Sequence, residues 1–377
     1  MNPVTGLAFT ATLVESLGWA IFACATVAWV VTWACSRAGR LSGLGQDLAQ
    51  GVQKFHVQPT SRLGGVGIFL GLCAGTAVIH DPHSDLRLHM VWFILASCPV
   101  WLGGLIEDLT HRVGPSLRLV LAMVSAAWLY GALGLGVVRT DVWPIDLLLG
   151  LPGAMLCTSL LVVAGFTHSL NIIDGFHGLA SGLTLIMLAA LGAMALSVGD
   201  VLVLQMSAVA FAATLGFFVW NWPRGEIFLG DAGAYLLGFW VVELGLLLAM
   251  RNPGISPMAP VVVGILPLIE TLFSMYRRKV VRQHPVNHPD ALHLHTLVYR
   301  RLVFRPSQHQ TPAELNAANA KVGLYFWLPA LLFAALAFVF MHSTLAQLLL
   351  MLGYLAMYIR LYQRLVQFKA PYFMRQR

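Results

Sequence analysis

Charge is what this 377-residue sequence has least of: Asp, Glu, Lys and Arg make up 10% of it, against about 25% in a soluble globular domain. With 58% hydrophobic residues and a mean hydropathy of +0.76, the chain is expected to be an integral membrane protein. No basic residue precedes Arg37, so the charged start of a cleavable signal is missing, and the first apolar run is expected to remain as a spanning helix. HExxH is absent, which excludes the common metallopeptidase pattern. The five cysteines, Cys24, Cys35, Cys73, Cys98 and Cys157, lie in or beside apolar runs without metal-ligand spacing. They read as small core hydrophobes and suggest neither a disulfide scaffold nor a compartment. Without an internal repeat or low-complexity linker, residues 1–377 are expected to form one membrane domain.

Apolar runs long enough to cross a hydrocarbon core fall at 10–34, 63–80, 90–106, 117–137, 147–167, 178–198, 201–220, 232–250, 258–275, 323–342 and 344–365. They predict an all-α polytopic protein of about eleven transmembrane helices. With an external N-terminus and alternating sides, all but three of the 23 basic residues fall in internal segments, leaving Arg87, Arg139 and Arg251 outside. That bias follows the positive-inside rule and puts the C-terminus inside. The net charge of +7 is then a matter of membrane orientation and attraction to anionic lipid or phosphate, not of nucleic acid.

Within this topology Glu107, Asp108, Asp174, Glu226 and Asp231 all fall on the internal side, each at or just past the end of an apolar run. A transporter usually keeps its rare acids at mid-membrane. Acids gathered at one water–lipid boundary point instead to a metal-dependent site facing a soluble substrate. In KFHVQPTSRLGG, residues 54–65, Lys54, His56 and Arg62 place cations before paired glycines, where backbone can approach a ligand; a basic helix anchor is the plainer reading. The adjacent Glu107 and Asp108 repel each other unless Mg²⁺, a basic partner such as Arg112 or Arg118, or a shared proton is near. In NIIDGFHGLASG, residues 171–182, Asn171 and Asp174 are close enough to face one ligand, and His177 suits either a nucleotide contact or the membrane interface. NWPRGEIFLGDAGAYLLG, residues 221–238, sets Asp231 between small residues at a helix start, as an N-cap or as a hard oxygen ligand for Mg²⁺ and diphosphate. His293 and His295, among arginines, suit phosphate contact or proton transfer rather than zinc. Glu243 and Glu270 lie inside apolar runs and are expected to be neutral or paired.

Taken in this order, DGxxGLxxG, the NWP…FLGDAG segment and HLH, the loops resemble those of the polyprenyl-phosphate N-acetylhexosamine-1-phosphate transferases over roughly residues 54–305. The family includes the phospho-MurNAc-pentapeptide translocase, and the likeness is to its O-antigen or capsule-initiating branch. Three features depart from the family pattern: Glu107–Asp108 replaces paired aspartates, His177 replaces a frequent aspartate, and a lysine usual after the acidic pair is absent, leaving Arg112 or Arg118.

The resemblance implies transfer of an aminosugar-1-phosphate from a UDP-sugar to undecaprenyl or another polyprenyl phosphate, with release of UMP, to initiate cell-surface polysaccharide synthesis at the bacterial inner membrane. It implies Mg²⁺, with Mn²⁺ as a substitute, held by Asp231 and Asn171, and Asp174 and His177 beside nucleotide or metal. Glu107 and Asp108 would position or deprotonate the acceptor phosphate; Lys54, Arg62, Arg118, His293 and His295 would offset phosphate charge. The partners implied are the lipid, the UDP-aminosugar and the membrane, with a homodimer allowed and no nucleic acid. A lipid-linked-sugar flippase or binding protein that lost catalysis is the rival reading. A CDP-alcohol phosphotransferase would need a longer acidic helix pattern than follows Asp174.

Overall fold

In lipid a chain must satisfy its backbone polar groups internally, and this one does so with helices. The computed structural model describes residues 3–43, 45–47, 59–79, 85–281, 292–305 and 311–367. Its helices are α1 (Pro3–Ser42), α2 (Gly64–Val78), α3 (Asp85–Thr110), α4 (Pro115–Leu133), α5 (Trp143–Leu149), α6 (Ala154–Ile173), α7 (Leu179–Ser197), α8 (Val201–Asn221), α9 (Gly230–Arg251), α10 (Met258–Val263), α11 (Ile265–Tyr276), α12 (Leu294–Val298), α13 (Pro312–Val339) and α14 (Thr344–Val366). Two-residue strands β1 (Gln46–Asp47) and β2 (Thr60–Ser61) pair antiparallel, with Gln46 opposite Ser61. The protein is an all-α, multi-pass membrane protein.

All eleven apolar runs are helical, but only nine helices among the described residues have the length and hydropathy to span. The run at 63–80 forms the 15-residue α2, about 22 Å long at 1.5 Å per residue and short of a ~30 Å hydrocarbon core. The run at 258–275 breaks at Gly264, where a side chain would meet the Phe166 ring at 2.5 Å. Local signals end the other helices. Pro115 opens α4 and left-handed Gly134 closes it, while Thr311 and Glu314 form a reciprocal capping box at the start of α13.

Helix α9 is the hub, buried along almost its whole length and packed against α2, α3 and α6. Large apolar side chains of α1 and α14, Trp19, Phe22, Leu349 and Leu352 among them, stay exposed, as lipid-facing residues should. The C-terminal ends of α1, α3, α6 and α14 and the N-terminal ends of α2 and α9 gather on one face. On the opposite face Arg139 donates to the carbonyls of Pro253 and Ile255, just past α9, at 3.0 and 2.7 Å, and Arg251 pairs with Asp200 at 2.9 Å. Arg87, in the first turn of α3, lies on that face too, so the three basic residues assigned to external segments share one side.

Candidate active site

Three backbone segments build the centre. Residues 61–65 run beside residues 228–229: Phe228 N–H donates to Ser61 O at 2.8 Å, and Gly64 and Gly65 N–H donate to Phe228 and Leu229 O at 3.0 Å. Across from this strap, α3 presses its last turns onto the start of α9. A side chain at Gly104 would lie 2.5 Å from Ala232 N, so only glycine lets the two backbones approach this closely. Gly230, at φ +72, makes the turn into α9 that a side chain would strain; its Cβ would meet Arg62 O at 2.0 Å.

This contact delivers Asp108 to the orphan N–H groups of α9. Its Oδ1 accepts from Asp231 N–H and its Oδ2 from Ala232 N–H, both at 2.9 Å, so a carboxylate from another helix caps α9 and complements its dipole. Asp108 is fully buried, and Arg62 Nε lies 3.2 Å from its Oδ1. The Arg62 guanidinium then reaches Asp231 Oδ1 at 3.0 Å, and Arg118 pairs with Asp231 Oδ2. Two acids and two partly buried guanidinium groups therefore form one chain, in which removing a partner would leave the buried acids with an uncompensated charge.

Around this chain stand the other predicted residues. Glu107 accepts from Val113 N–H at 2.8 Å and holds the turn that leads into α4 and Arg118. Arg112 is exposed, so of the two candidate arginines it is Arg118 that reaches the acids. Asn171 is within hydrogen-bonding reach of the Tyr235 hydroxyl, as is Arg118, whose guanidinium also lies 5.6 Å over the Tyr235 ring. Asp174, just past α6, has its carboxyl pushed up to about 7 by burial, offset in part by Arg62. His177 is buried, packs at 5.7 Å on the Phe228 ring and fills the space beside Gly225, where a Cβ would lie 2.2 Å from its Cε1. His293 and His295 stack at 5.2 Å beside the Asp174–Gly175 turn: a Cβ on Gly175 would be 3.5 Å from His295 Nε2. Lys54 and His56 lie outside the described residues.

Next to the centre a cleft of about 590 Å³ is lined by Arg37, Arg40, Thr60, Ser61, His177 and Arg224, among others. Glu226 pairs with Arg40 at 2.9 Å and lies 3.7 Å from Arg224.

Three supporting residues escaped the sequence reading. Asn221 Oδ1 accepts from Gly178 N–H at 2.7 Å while its Nδ2 donates to Ile227 O at 2.8 Å, tying the 174–178 turn to the 222–230 loop. Asn319, on α13, accepts from His177 N–H at 2.7 Å. Tyr235 stands one turn past Asp231. Its spacing of four residues, which puts the two on one face of α9, was the available signal; for the asparagines it was an amide in an apolar helix.

Residues 90–249, from α3 through α9, match the glycosyl transferase family 4 pattern. That stretch holds every side chain of the acid centre except Arg62. Through this stretch the chain is similar to the polyprenyl-phosphate hexosamine-1-phosphate transferases. It is 29% identical over 249 residues to a probable undecaprenyl-phosphate N-acetylglucosaminyl 1-phosphate transferase of Bacillus subtilis, covering 64% of this chain and 66% of the relative. To the undecaprenyl-phosphate alpha-N-acetylglucosaminyl 1-phosphate transferase of Salmonella typhi it is 29% identical, over 66% of this chain and 67% of the other. A decaprenyl-phosphate N-acetylglucosaminephosphotransferase of Mycolicibacterium smegmatis is 28% identical over 76% of this chain and 73% of its own length. The chain thus spans about two thirds of the length of the first two relatives.

Proposed function

We propose that this protein transfers N-acetylhexosamine-1-phosphate from a UDP-sugar to a polyprenyl phosphate, releasing UMP, and so initiates a cell-surface polysaccharide at the bacterial inner membrane. The observation that carries the reading is the Arg62–Asp108–Asp231–Arg118 chain at the end of a membrane-embedded bundle, beside a polar, arginine-lined cleft. A soluble nucleotide enters such a cleft from water, and a lipid phosphate reaches the same depth laterally. The relatives' names support the acceptor and the aminosugar.

The oxygen donors of the centre suit Mg²⁺: Asp231 and Asn171 offer hard oxygens. Both Asp231 oxygens are paired with guanidinium groups, so an ion bound there would take the place of one of them. Mg²⁺ commonly takes one or two carboxylates and completes its shell with phosphates and water. When bound by Asp231 and Asn171, Mg²⁺ would neutralise charge on the diphosphate. Arg62 and Arg118 orient Asp231 and supply preorganised positive charge as UMP departs. Glu107 sets the turn carrying Arg118, and His293 and His295 face the site from the Asp174 side. The nucleophile needs little help, because a phosphate monoester with a second pKa near about 6 is mostly ionised at neutral pH.

Direct attack by the lipid phosphate on the sugar-proximal phosphorus is favoured over a covalent intermediate on Asp108. Both Asp108 oxygens accept from α9, and the side chain is fully buried, so neither oxygen is accessible to a substrate. One diphosphate bond is broken and one formed, which makes the reaction readily reversible. Purified protein with Mg²⁺ should therefore exchange labelled UMP into UDP-N-acetylglucosamine only when polyprenyl phosphate is present. Asp231→Asn should lower that exchange by at least about 100-fold, in line with loss of one preorganised contact, while leaving the fold intact. Exchange without lipid would reinstate the covalent route; absence of any turnover across a panel of UDP-sugars would favour a binding protein or flippase.

A further inference from the structure

The segment bearing His293 and His295 is fastened to the membrane interior through one acid. Glu270, on α11, is 1% exposed. Its Oε1 accepts from Leu294 N–H at 2.7 Å and from His293 Nδ1 at 3.2 Å, and His295 Nδ1 stands 3.4 Å from the same oxygen. Its Oε2 accepts from the Tyr358 hydroxyl of α14 at 2.8 Å. One helical residue thus joins α14, the start of α12 and two imidazoles. Arg277, which follows α11, donates to Leu292 O at 2.5 Å and to the Tyr362 hydroxyl, which fastens the chain just before His293.

The chemistry of this arrangement is directional. A carboxylate surrounded by an amide N–H, a hydroxyl and two ring nitrogens acts as acceptor toward all of them. His293 must then carry a proton on Nδ1, which leaves Nε2 as the atom that differs between the neutral and protonated ring, while His295 Nδ1 approaches the same oxygen as an ion-pair contact. The stacked rings are 5° from parallel, both Nδ1 atoms lie within 3.4 Å of one Glu270 oxygen, and His295 Nε2 lies beside the Asp174–Gly175 turn.

We infer that Glu270 is a positioning residue: it holds His293 and His295 as Nδ1–H forms with Nε2 directed to the phosphate-handling side of the site. It touches no substrate and acts through the two rings. Its effect on turnover rests on the transferase reading above; its effect on the rings does not. It also explains a buried acid in an apolar run, since three hydrogen-bond donors and a second imidazole offset its desolvation.

The test uses full-length protein in nanodiscs with ¹⁵N-labelled histidine. Imidazole ¹⁵N shifts of the wild type should show Nδ1 protonated in both rings across the pH range in which the protein is folded, assigned by His293→Gln and His295→Gln. A bare Nδ1 in either ring overturns the inference, without reference to activity. In Glu270→Gln at least one ring should lose that fixed pattern. With UDP-N-acetylglucosamine as donor, kcat should fall roughly 10–100-fold, the scale seen when a carboxylate behind a working histidine is removed, while KM for the donor changes less than about threefold. Wild-type kcat in a folded Glu270→Gln overturns the inference as well. If the variant does not fold, the wild-type spectrum decides alone. A wild type that turns over no UDP-sugar removes the transferase reading and leaves the spectroscopic test standing.

Discussion

At the scale of single residues, the acids divide their labour according to what surrounds them. Asp108 spends both oxygens on the N-terminus of α9, Glu107 spends one on the turn after α3, and Asp231 is held between two arginines. Asp174, just past α6, is one whose protonation should be visible in stability. Its carboxyl is pushed up to about 7, from about 3.9 in an unfolded chain. Between these values the folded protein keeps a proton that the unfolded chain has released, so stability is fully present below about pH 4 and is lost as pH rises through about 7. Asp174→Asn removes this titration. Denaturation of the detergent-solubilised pair between pH 5 and 7.5 should show a falling profile for wild type and a flatter one for the variant, diverging by up to about 3 kcal/mol. Parallel profiles would mean that Asp174 is solvated or paired in solution.

At the scale of helices, the site depends on how closely α3 and α2 approach α9. A Cβ at Gly65 would meet Gly233 N at 2.3 Å, and one at Gly104 would meet Ala232 N at 2.5 Å. Farther along α2, Gly67 and Gly71 meet α1 in the same manner, against Thr32 and the Cys24 carbonyl, giving the small-residue packing that membrane helices use in place of a hydrophobic drive. Gly104→Ala should push α3 off the start of α9 and pull Asp108 away from its two N–H groups. The expected cost is about 1–3 kcal/mol in stability from overpacking, with a loss of turnover exceeding tenfold because Asp231 moves with the helix start. Gly131→Ala on α4, whose Cβ would meet nothing within 4 Å, should leave both unchanged or raise stability by about 1 kcal/mol. Equal behaviour of the two alanine variants in thermal unfolding and exchange assays would show that the close approach is dispensable.

At the scale of the molecule, the two faces of the bundle differ in what they hold. One carries the acid centre, the cleft and the histidines; the other carries Arg87, Arg139 and Arg251 with short connections. From the charge bias we propose that the first face is the cytoplasmic one, where the proposed UDP-sugar donor would be found. In a cysteine-free background, a membrane-impermeant maleimide added to intact cells should label Gly254→Cys on the second face and leave Arg224→Cys, beside the cleft, unlabelled until the cells are opened. The reverse pattern would put the site outside and remove its soluble substrate. Met1 and Arg377, whose opposite sides the charge bias also predicts, lie outside the described residues.

Much of this was legible in composition and spacing. Scarcity of charge and long apolar runs require a helical membrane protein because lipid offers backbone groups no partner. The distribution of arginine separates the faces, and the positions of Glu107, Asp108, Asp174 and Asp231 at run ends already group the acids. Sequence alone did not decide which runs are complete spans, since α2 and the pair α10 and α11 are as apolar as their neighbours and differ only in where glycine admits another helix or ring. Nor did it assign roles within the acid group. Whether an aspartate caps a helix, pairs with an arginine or keeps a proton depends on donors brought from residues far away in the chain: Asp108 from Asp231 and Ala232, Asp231 from Arg62 and Arg118, Glu270 from Leu294, Tyr358 and two histidines. Those pairings exist only once the helices are packed, because burial makes each polar group find a partner and tertiary structure supplies the partner's address.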